Sequence, residues 1–398
     1  GTLNASSVVA DGGRIFLKAS QDAYVDGNGL IITTGTRGGS VYLIGSNVSN
    51  EGIITTPNGE TILAAGATVS LIDSALPGVK VDITGAAGIS TNLGTIVAEA
   101  GRIGIAGVIV RNSGTLNASS VVADGGRIFL KATQDAYVDG NGTLVVTGTR
   151  GGSVEVLGNR VAVMDNASID ASGTNGGGTI KVGGDYRGRN PDIQNANITY
   201  FGSDATLKAD ATGVGDGGTV IVWADDTTRA YGHISARGGA SGGNGGFVET
   251  SGHRYLDVTR AADVSAAFGL GGTWLLDPAY LKIVNTGSDA NVTGGTPFTA
   301  GSGGSVLTAG TINTGLVGGN VTIISAGGED INFDAAYSGP IVITNGTGSG
   351  RVLTLSAGND ILFSGGSTTF QTTAANSPLT VNFNPVTNRK VEVQSGAT

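Results

Sequence analysis

The chain has 398 residues, of which 71 are glycine, 8 proline and none cysteine, with a formal net charge of −9 and a pI near 4.7. Glycine without a three-residue period or high proline excludes collagen, and 39% apolar residues exclude a disordered chain. An acidic chain with no basic run is not built for nucleic acid, and no apolar stretch approaches the ~20 residues of a membrane span.

The chain opens GTLNASS, without a start methionine or signal peptide, and its one methionine is Met164. It reads as an internal or processed piece of a longer protein. Absence of cysteine fits an exported bacterial chain. Residues Gly1 to Gly29 recur at Gly114 to Gly142 with a single change, Ser20 against Thr133. The likeness runs over residues 1–48 and 114–161, an offset of 113 residues. That is too long for one structural unit, so it holds several smaller ones.

The smaller unit is a Gly-Gly pair, a polar or small residue, then a short apolar alternation. It appears as GGRIFLKA at Gly12, GGSVYLIG at Gly38, GGRIFLKA at Gly125, GGSVEVLG at Gly151 and GGTIKVGG at Gly177. It returns as GGTVIVWAD at Gly217, GGFVETSG at Gly245 and GGTWLLD at Gly271. Several steps are 26 residues; that from Gly177 to Gly217 is 40, which requires an insertion or an additional degenerate coil. Alternation in Arg127–Lys131 places Ile128 and Leu130 on one face of a strand. Weaker strands such as GTLNASS, GTLVVTG and ATLKADA lie between, and no segment has helical periodicity with a cap.

Such units cannot bury an apolar face alone, but stacked coils cover one another and pair their backbones above and below. The fold expected is therefore all-β: a right-handed parallel β-helix (β-solenoid) with coils of roughly 20–26 residues. That gives about 15–20 coils and a rod on the order of 70–95 Å. Residues 1–284 carry the regular helix. Residues 285–305, rich in Gly, Ser and Thr, read as a loop or linker, and 306–398 as a less regular continuation.

Chemistry-bearing residues are sparse. Tyr186, Arg187, Arg189, Tyr200 and Phe201, in the insertion that follows Gly184, form the densest aromatic and basic cluster and are the candidate ligand or glycan patch. Asp225 and Asp226, with Arg229 and His233 nearby, are the best catalytic candidates. Neighbours on a strand point to opposite faces, however, and in a turn they are ordinary Asx residues. His233 and His253 read as surface or corner residues. SGGNGGFVE at Ser241 has the glycines of a calcium-binding nonapeptide without its Asp. Phe16, Phe129, Trp223, Phe247 and Trp274 read as core or strand-end aromatics. Asn4, Asn117, Asn166 and Asn195 read as stacked asparagine corners. No catalytic, cofactor or metal site is expected.

The blocks TPNGETILAAGATVSLID (Thr56 to Asp73), NLGTIVAEAGRIGIAGVIVRNSGTLNASS (Asn92 to Ser120), GGNGGFVETSGHRYLDV (Gly242 to Val258) and GTWLLDPAYLKIV (Gly272 to Val284) are more specific than any one Gly-Gly pair. They resemble the filamentous-haemagglutinin-like exoproteins of two-partner secretion systems in Gram-negative bacteria, closely over 1–285 and loosely over 286–398. The resemblance implies a parallel β-helix secreted through an outer-membrane β-barrel transporter as partner, and displayed at the cell surface or released. The amino-terminal secretion domain that addresses that family to its transporter is not recognised, which places it upstream of Gly1.

The function expected is an extracellular structural or adhesive fibre segment, whose partners are host or neighbouring-cell ligands and other copies of itself. The alternative is a ligand-capture exoprotein for haem proteins or glycans, and a polysaccharide-active enzyme ranks last.

Overall fold

The computed structural model describes residues 2–6, 13–34, 38–73, 79–85, 87–286, 297–301, 304–325, 328–373, 377–386 and 389–394. Strands joined by short polar corners stack in parallel on three faces. On the first face lie, in order, Arg14–Lys18, Ser40–Gly45, Glu60–Ala65, the start of Arg102–Asn112, the start of Arg127–Val138, Ser153–Leu157 and Thr179–Val182. Thr219–Ala224, Phe247–Gly252, Thr273–Leu276, Asn320–Ser325, Arg351–Ala357 and Leu379–Phe383 continue it. The second face runs from Asp22–Val25 to Tyr255–Val258, and the third from Thr2–Ser6 to His233–Ser235.

This is the parallel β-helix read from the repeats. The first face holds thirteen strands among the described residues, fewer than the 15–20 coils expected, so the stack is roughly 58 Å long at ~4.8 Å per coil. The shortfall arises because coils are uneven. Ser40 lies against Glu60, a step of 20, whereas Glu60 lies against Arg102, Thr179 against Thr219 and Thr273 against Asn320, steps of 42, 40 and 47. The 40-residue step is an insertion within one coil, since Thr179–Val182 pairs directly with Thr219–Ala224. Arg14 and Arg127, equivalent in the duplication, are separated by four pairings.

Alternation on the first face builds two continuous inward columns. One runs Ile15, Val41, Thr61, Ile103, Ile128, Val154, Ile180, Val220, Val248, Trp274, Val321 and Leu353; Ile128, Val154 and Trp274 are fully buried. The other carries Leu43, Leu63, Ile105, Leu130, Val156 and Val182. Each coil thus caps the apolar interior of the next.

The Gly-Gly pair is explained by close approach. Gly39, Gly59, Gly101, Gly126, Gly152, Gly178, Gly218, Gly246 and Gly272 stack in one column, and at each a Cβ would stand under 3.0 Å from the carbonyl oxygen of the glycine one coil before. That oxygen accepts from the residue after the next glycine: Ser153 N donates to Gly126 O at 3.1 Å, Thr179 N to Gly152 O at 2.9 Å. The corner is a ladder in which backbone occupies the space of a side chain.

An asparagine ladder does exist, at other residues than expected. Asn50, Asn92 and Asn112 point inward and are fully buried. Asn50 Nδ2 donates to Asn92 Oδ1 and Asn92 Nδ2 to Asn112 Oδ1, each at 2.8 Å. Their amides also donate to the carbonyls of Gly52, Gly94 and Gly114. Of the asparagines read as corners, Asn117 accepts from Ser119 N, Asn166 donates to Asn141, and Asn195 donates to Gly188 O and Asp225. The side chain of Asn4 lies outside the described residues.

Three segments leave the stack and lie on its outside. Thr68–Asp73 and Val79–Thr84 form an antiparallel hairpin whose Val69 and Ile83 cover an outer apolar cluster of Tyr42, Ile44, Ile62, Ala64, Ala106 and Phe129. Residues 183–197 form the second segment, described below. The third is 297–301, within the stretch read as a linker. The Phe298 ring lies 5.4 Å from that of Tyr137, with the Arg160 guanidinium 4.8 Å over it. Gly301 N donates to Thr227 Oγ1 at 2.9 Å, and Arg254 donates to Gly301 O at 3.0 Å. Residues 287–296, also in that stretch, lie outside the described residues.

Ala309–Gly318 is a helix, contrary to the expectation of none. Its glycines and threonines are weak helix formers, so context makes it. Thr308 caps its first turn by accepting from Thr311 N, Ile312 and Leu316 are buried, and Arg351 donates to the terminal carbonyls of Leu316 and Val317.

Candidate functional site

Most outward residues of the coils are polar and solvated. Besides the cluster under the hairpin, an exception on the first face begins at Trp223. In register, Ile221, Glu249 and Leu275 share one outward column, and Trp223 and Ser251 share the next. These are outward positions of the ETSG and LLDP blocks, yet Glu249 is fully buried, and Trp223 and Asp277 nearly so. Segment 183–197 covers them.

The segment turns through a short 3-10 stretch, Tyr186–Gly188, opened by Asp185. Asp185 accepts from Lys181 at 2.8 Å and Asn190 at 2.6 Å. Gly184 and Gly188 pack so closely on the Trp223 indole that a Cβ at either would stand under 3.0 Å from it. Arg187 adopts φ 53°, a conformation uncommon outside glycine. That geometry turns its backbone N–H onto the Glu249 carboxylate at 3.1 Å and its guanidinium onto Asp277 at 2.6 Å. The Asp277 backbone N–H donates to Ser251 Oγ at 3.1 Å.

Burial pushes the Glu249 carboxyl up to about 7, opposed by the Arg187 N–H. Burial also raises Asp277, opposed by the Arg187 guanidinium. The site is thus a sealed charge cluster in which one arginine serves two acids from later coils.

The five residues of the expected ligand patch do not form one surface. Phe201 is fully buried, stacked between Val163 and Ala230, while adjacent Tyr200 points outward, edge-on to Tyr231 at 5.9 Å. This is the alternation of a strand. Arg187 is held by Asp277, Arg189 adds its charge near the same carboxylate, and Tyr186 alone of the aromatics is markedly exposed, at 48%, beside Phe247. Arg187 and Phe201 thus face inward or are held as cover, while Tyr186 and Tyr200 face outward at separate places.

Asp225 and Asp226 lie in the corner before Thr227 and have separate partners. Asp225 accepts from Trp223 Nε1 and Asn195 Nδ2, each at 2.9 Å; Asp226 pairs with Arg254, which holds its carboxyl below the usual range. His233 lies on the third face beside Arg260, and His253 at the far corner near Trp223. Trp274 is in the core and donates to Thr250 Oγ1 at 2.7 Å; Phe129 and Trp223 are outward but covered; Phe16 is exposed. Among the described residues no three acidic, histidine or cysteine side chains gather to hold a metal, and no helix is long and apolar enough to cross a membrane.

Two shallow grooves run along the corners. One of about 860 Å³ follows the glycine ladder from Gly38 to Thr179, and one of about 440 Å³ is lined by Thr147, Thr149, Asp170, Lys208, Asp210 and Arg237.

Fold and cluster together define a parallel β-helix whose outer face is fastened by segments of its own chain. The chain is similar to the HMW1 secretion domain from Haemophilus influenzae, with a TM-score of 0.52 and 34% sequence identity. The likeness covers 63% of this chain and 65% of that one. No family model matches the chain, and no curated protein matches it significantly. The likeness is to a secretion domain, a kind of domain that the sequence reading did not recognise in this chain.

Proposed function

We propose that this chain belongs to an exoprotein exported by two-partner secretion, and that it engages an outer-membrane β-barrel transporter on the way out. The observation that carries this is the 34% identity with a secretion domain, joined to a structural likeness at a TM-score of 0.52. Outside a Gram-negative cell the stack serves as a stiff structural and adhesive segment of the cell surface or its surroundings. Its function lies in shape, since the outward acids and aromatics with the most chemical potential are spent on fastening the coils.

The test is export. The chain, given an amino-terminal signal peptide, is produced in a Gram-negative host with and without the transporter of its own system. Appearance in the medium only when the transporter is present supports the reading. Equal amounts outside in both strains, or none in either with intact periplasmic protein, overturns it. The adhesive role is tested by binding of the purified chain to host cells and to cells of its own species; absence of binding to both removes that part.

A further inference from the structure

In a solenoid each coil touches its neighbours, and stability is a sum of local terms, so coils can open one at a time. Three outer segments break that rule here. The hairpin of Thr68–Asp73 and Val79–Thr84 leaves the stack after Glu60–Ala65, but its Val69 and Ile83 pack against the cluster that Tyr42, Ile62, Ala106 and Phe129 form across four successive first-face strands. Segment 183–197 follows Thr179–Val182 and is fixed by Glu249 and Asp277, 62 and 90 residues from Arg187 and on later coils. Segment 297–301 follows Thr273–Leu276 and reaches back along the second face. Its Phe298 meets Tyr137 and Arg160, and its Gly301 meets Thr227 and Tyr255.

The three reaches overlap. Phe129, under the hairpin, and Tyr137, under Phe298, belong to the same strand, Arg127–Val138. Thr227 and Tyr255, at Gly301, belong to coils that also carry Trp223 and Glu249, which lie beneath segment 183–197. Tyr42 through Asp277 is therefore tiled without a gap. The coil of Ser153–Leu157 and Arg160–Val163 lies under Phe298 and also meets segment 183–197, whose Gly183 N donates to Val156 O at 2.9 Å and whose Asn197 N donates to Asn159 O at 2.7 Å. The strands from Asn320 onward carry none of these segments, and the last of them, Leu379–Phe383 and Val391–Val393, contain no buried residue.

We propose that these segments act as overlapping staples that fuse the coils from Tyr42 to Asp277 into one cooperative body, with a stability boundary between Asp277 and Asn320. The rod then yields from one end: the coils beyond Asn320 open separately, and the body opens as a whole. Phe298, on Tyr137 and beneath Arg160, ties two adjacent coils together in the middle of that body. The inference concerns the chain's own contacts and stands whether or not the export reading does.

Native-state hydrogen exchange on the whole chain tests it. In the unmodified protein the strands from Ser40–Gly45 to Thr273–Leu276 are expected to share one opening free energy, with Arg351–Ala357 and Leu379–Phe383 exchanging at least tenfold faster. Phe298→Ala is expected to raise exchange in Ser153–Leu157 and Arg160–Val163 at least tenfold. Protection that changes smoothly from coil to coil in the unmodified chain overturns the proposal, and this measurement needs no variant to fold. So does a Phe298→Ala effect confined to residues 297–301.

Discussion

The carbonyl oxygen of Gly126 lies under 3.0 Å from where a Cβ on Gly152 would stand. Backbone pairing fixes the coil spacing, and Thr179 N still needs Gly152 O as its acceptor, so neither side can retreat. Gly152→Ala should cost about 1–3 kcal/mol by overpacking. Gly27→Ala is the contrast: nothing lies within 4 Å of a Cβ there, and stability should rise by about 0.4–1 kcal/mol through the unfolded chain. Urea unfolding of the two variants checks both signs; a neutral Gly152→Ala would show that the ladder yields.

Asn92 offers a donor to Asn112 Oδ1 and an acceptor to Asn50 Nδ2 inside the core. Asn92→Ala orphans those partners, at about 1–3 kcal/mol. Asn92→Asp should be worse at neutral pH, because it turns a carboxylate oxygen toward the oxygens of Asn112 and Gly94. Thermal unfolding across pH reads the difference, which should narrow as the solution is acidified and the new carboxyl protonates.

Glu249 gives the fold a pH dependence of definite sign. Its carboxyl is raised from an ordinary 4.5 to about 7 in the folded chain, so the folded state holds the proton more tightly. The contribution to stability is full below about 4.5 and is lost as pH rises through about 7. The change amounts to about 3 kcal/mol. Glu249→Gln should flatten that slope in urea titrations between those pH values. A slope unchanged by the substitution would place its origin elsewhere.

Asp225 and Asp226 separate structure from catalysis. Asp226→Ala removes a half-exposed pair with Arg254 and should cost no more than about 1 kcal/mol. Asp225→Ala strands the Trp223 N–H and the Asn195 amide and should cost about 1–3 kcal/mol. Melting temperatures order the two. The purified chain is expected to cleave no polysaccharide; product formation that the double variant abolishes would reverse the reading as a non-enzyme.

What the sequence discloses is what repeats locally. The Gly-Gly pair and the alternation after it locate each first-face strand, and Ile128 and Leu130 are buried as their spacing requires. Contacts between distant coils leave no local trace. Asn50, Asn92 and Asn112 form one ladder, but they stand 42 and 20 residues apart because a hairpin interrupts the intervening coil. Arg187 looks like a surface residue until Glu249 and Asp277 are brought over it. Tyr200 and Phe201 look like a pair, and the pleat sends them to opposite sides. The helix at Ala309 is written in what surrounds it, a capping threonine before and an arginine from the next coil.

The duplication has an evolutionary consequence. Because four complete coils separate Arg14 from Arg127, the two copies sit in the same phase of the winding. Unequal crossing-over between them would add or excise whole turns and leave every surviving strand beside a compatible neighbour. Lineages can therefore inherit longer or shorter forms without having to solve the folding problem again.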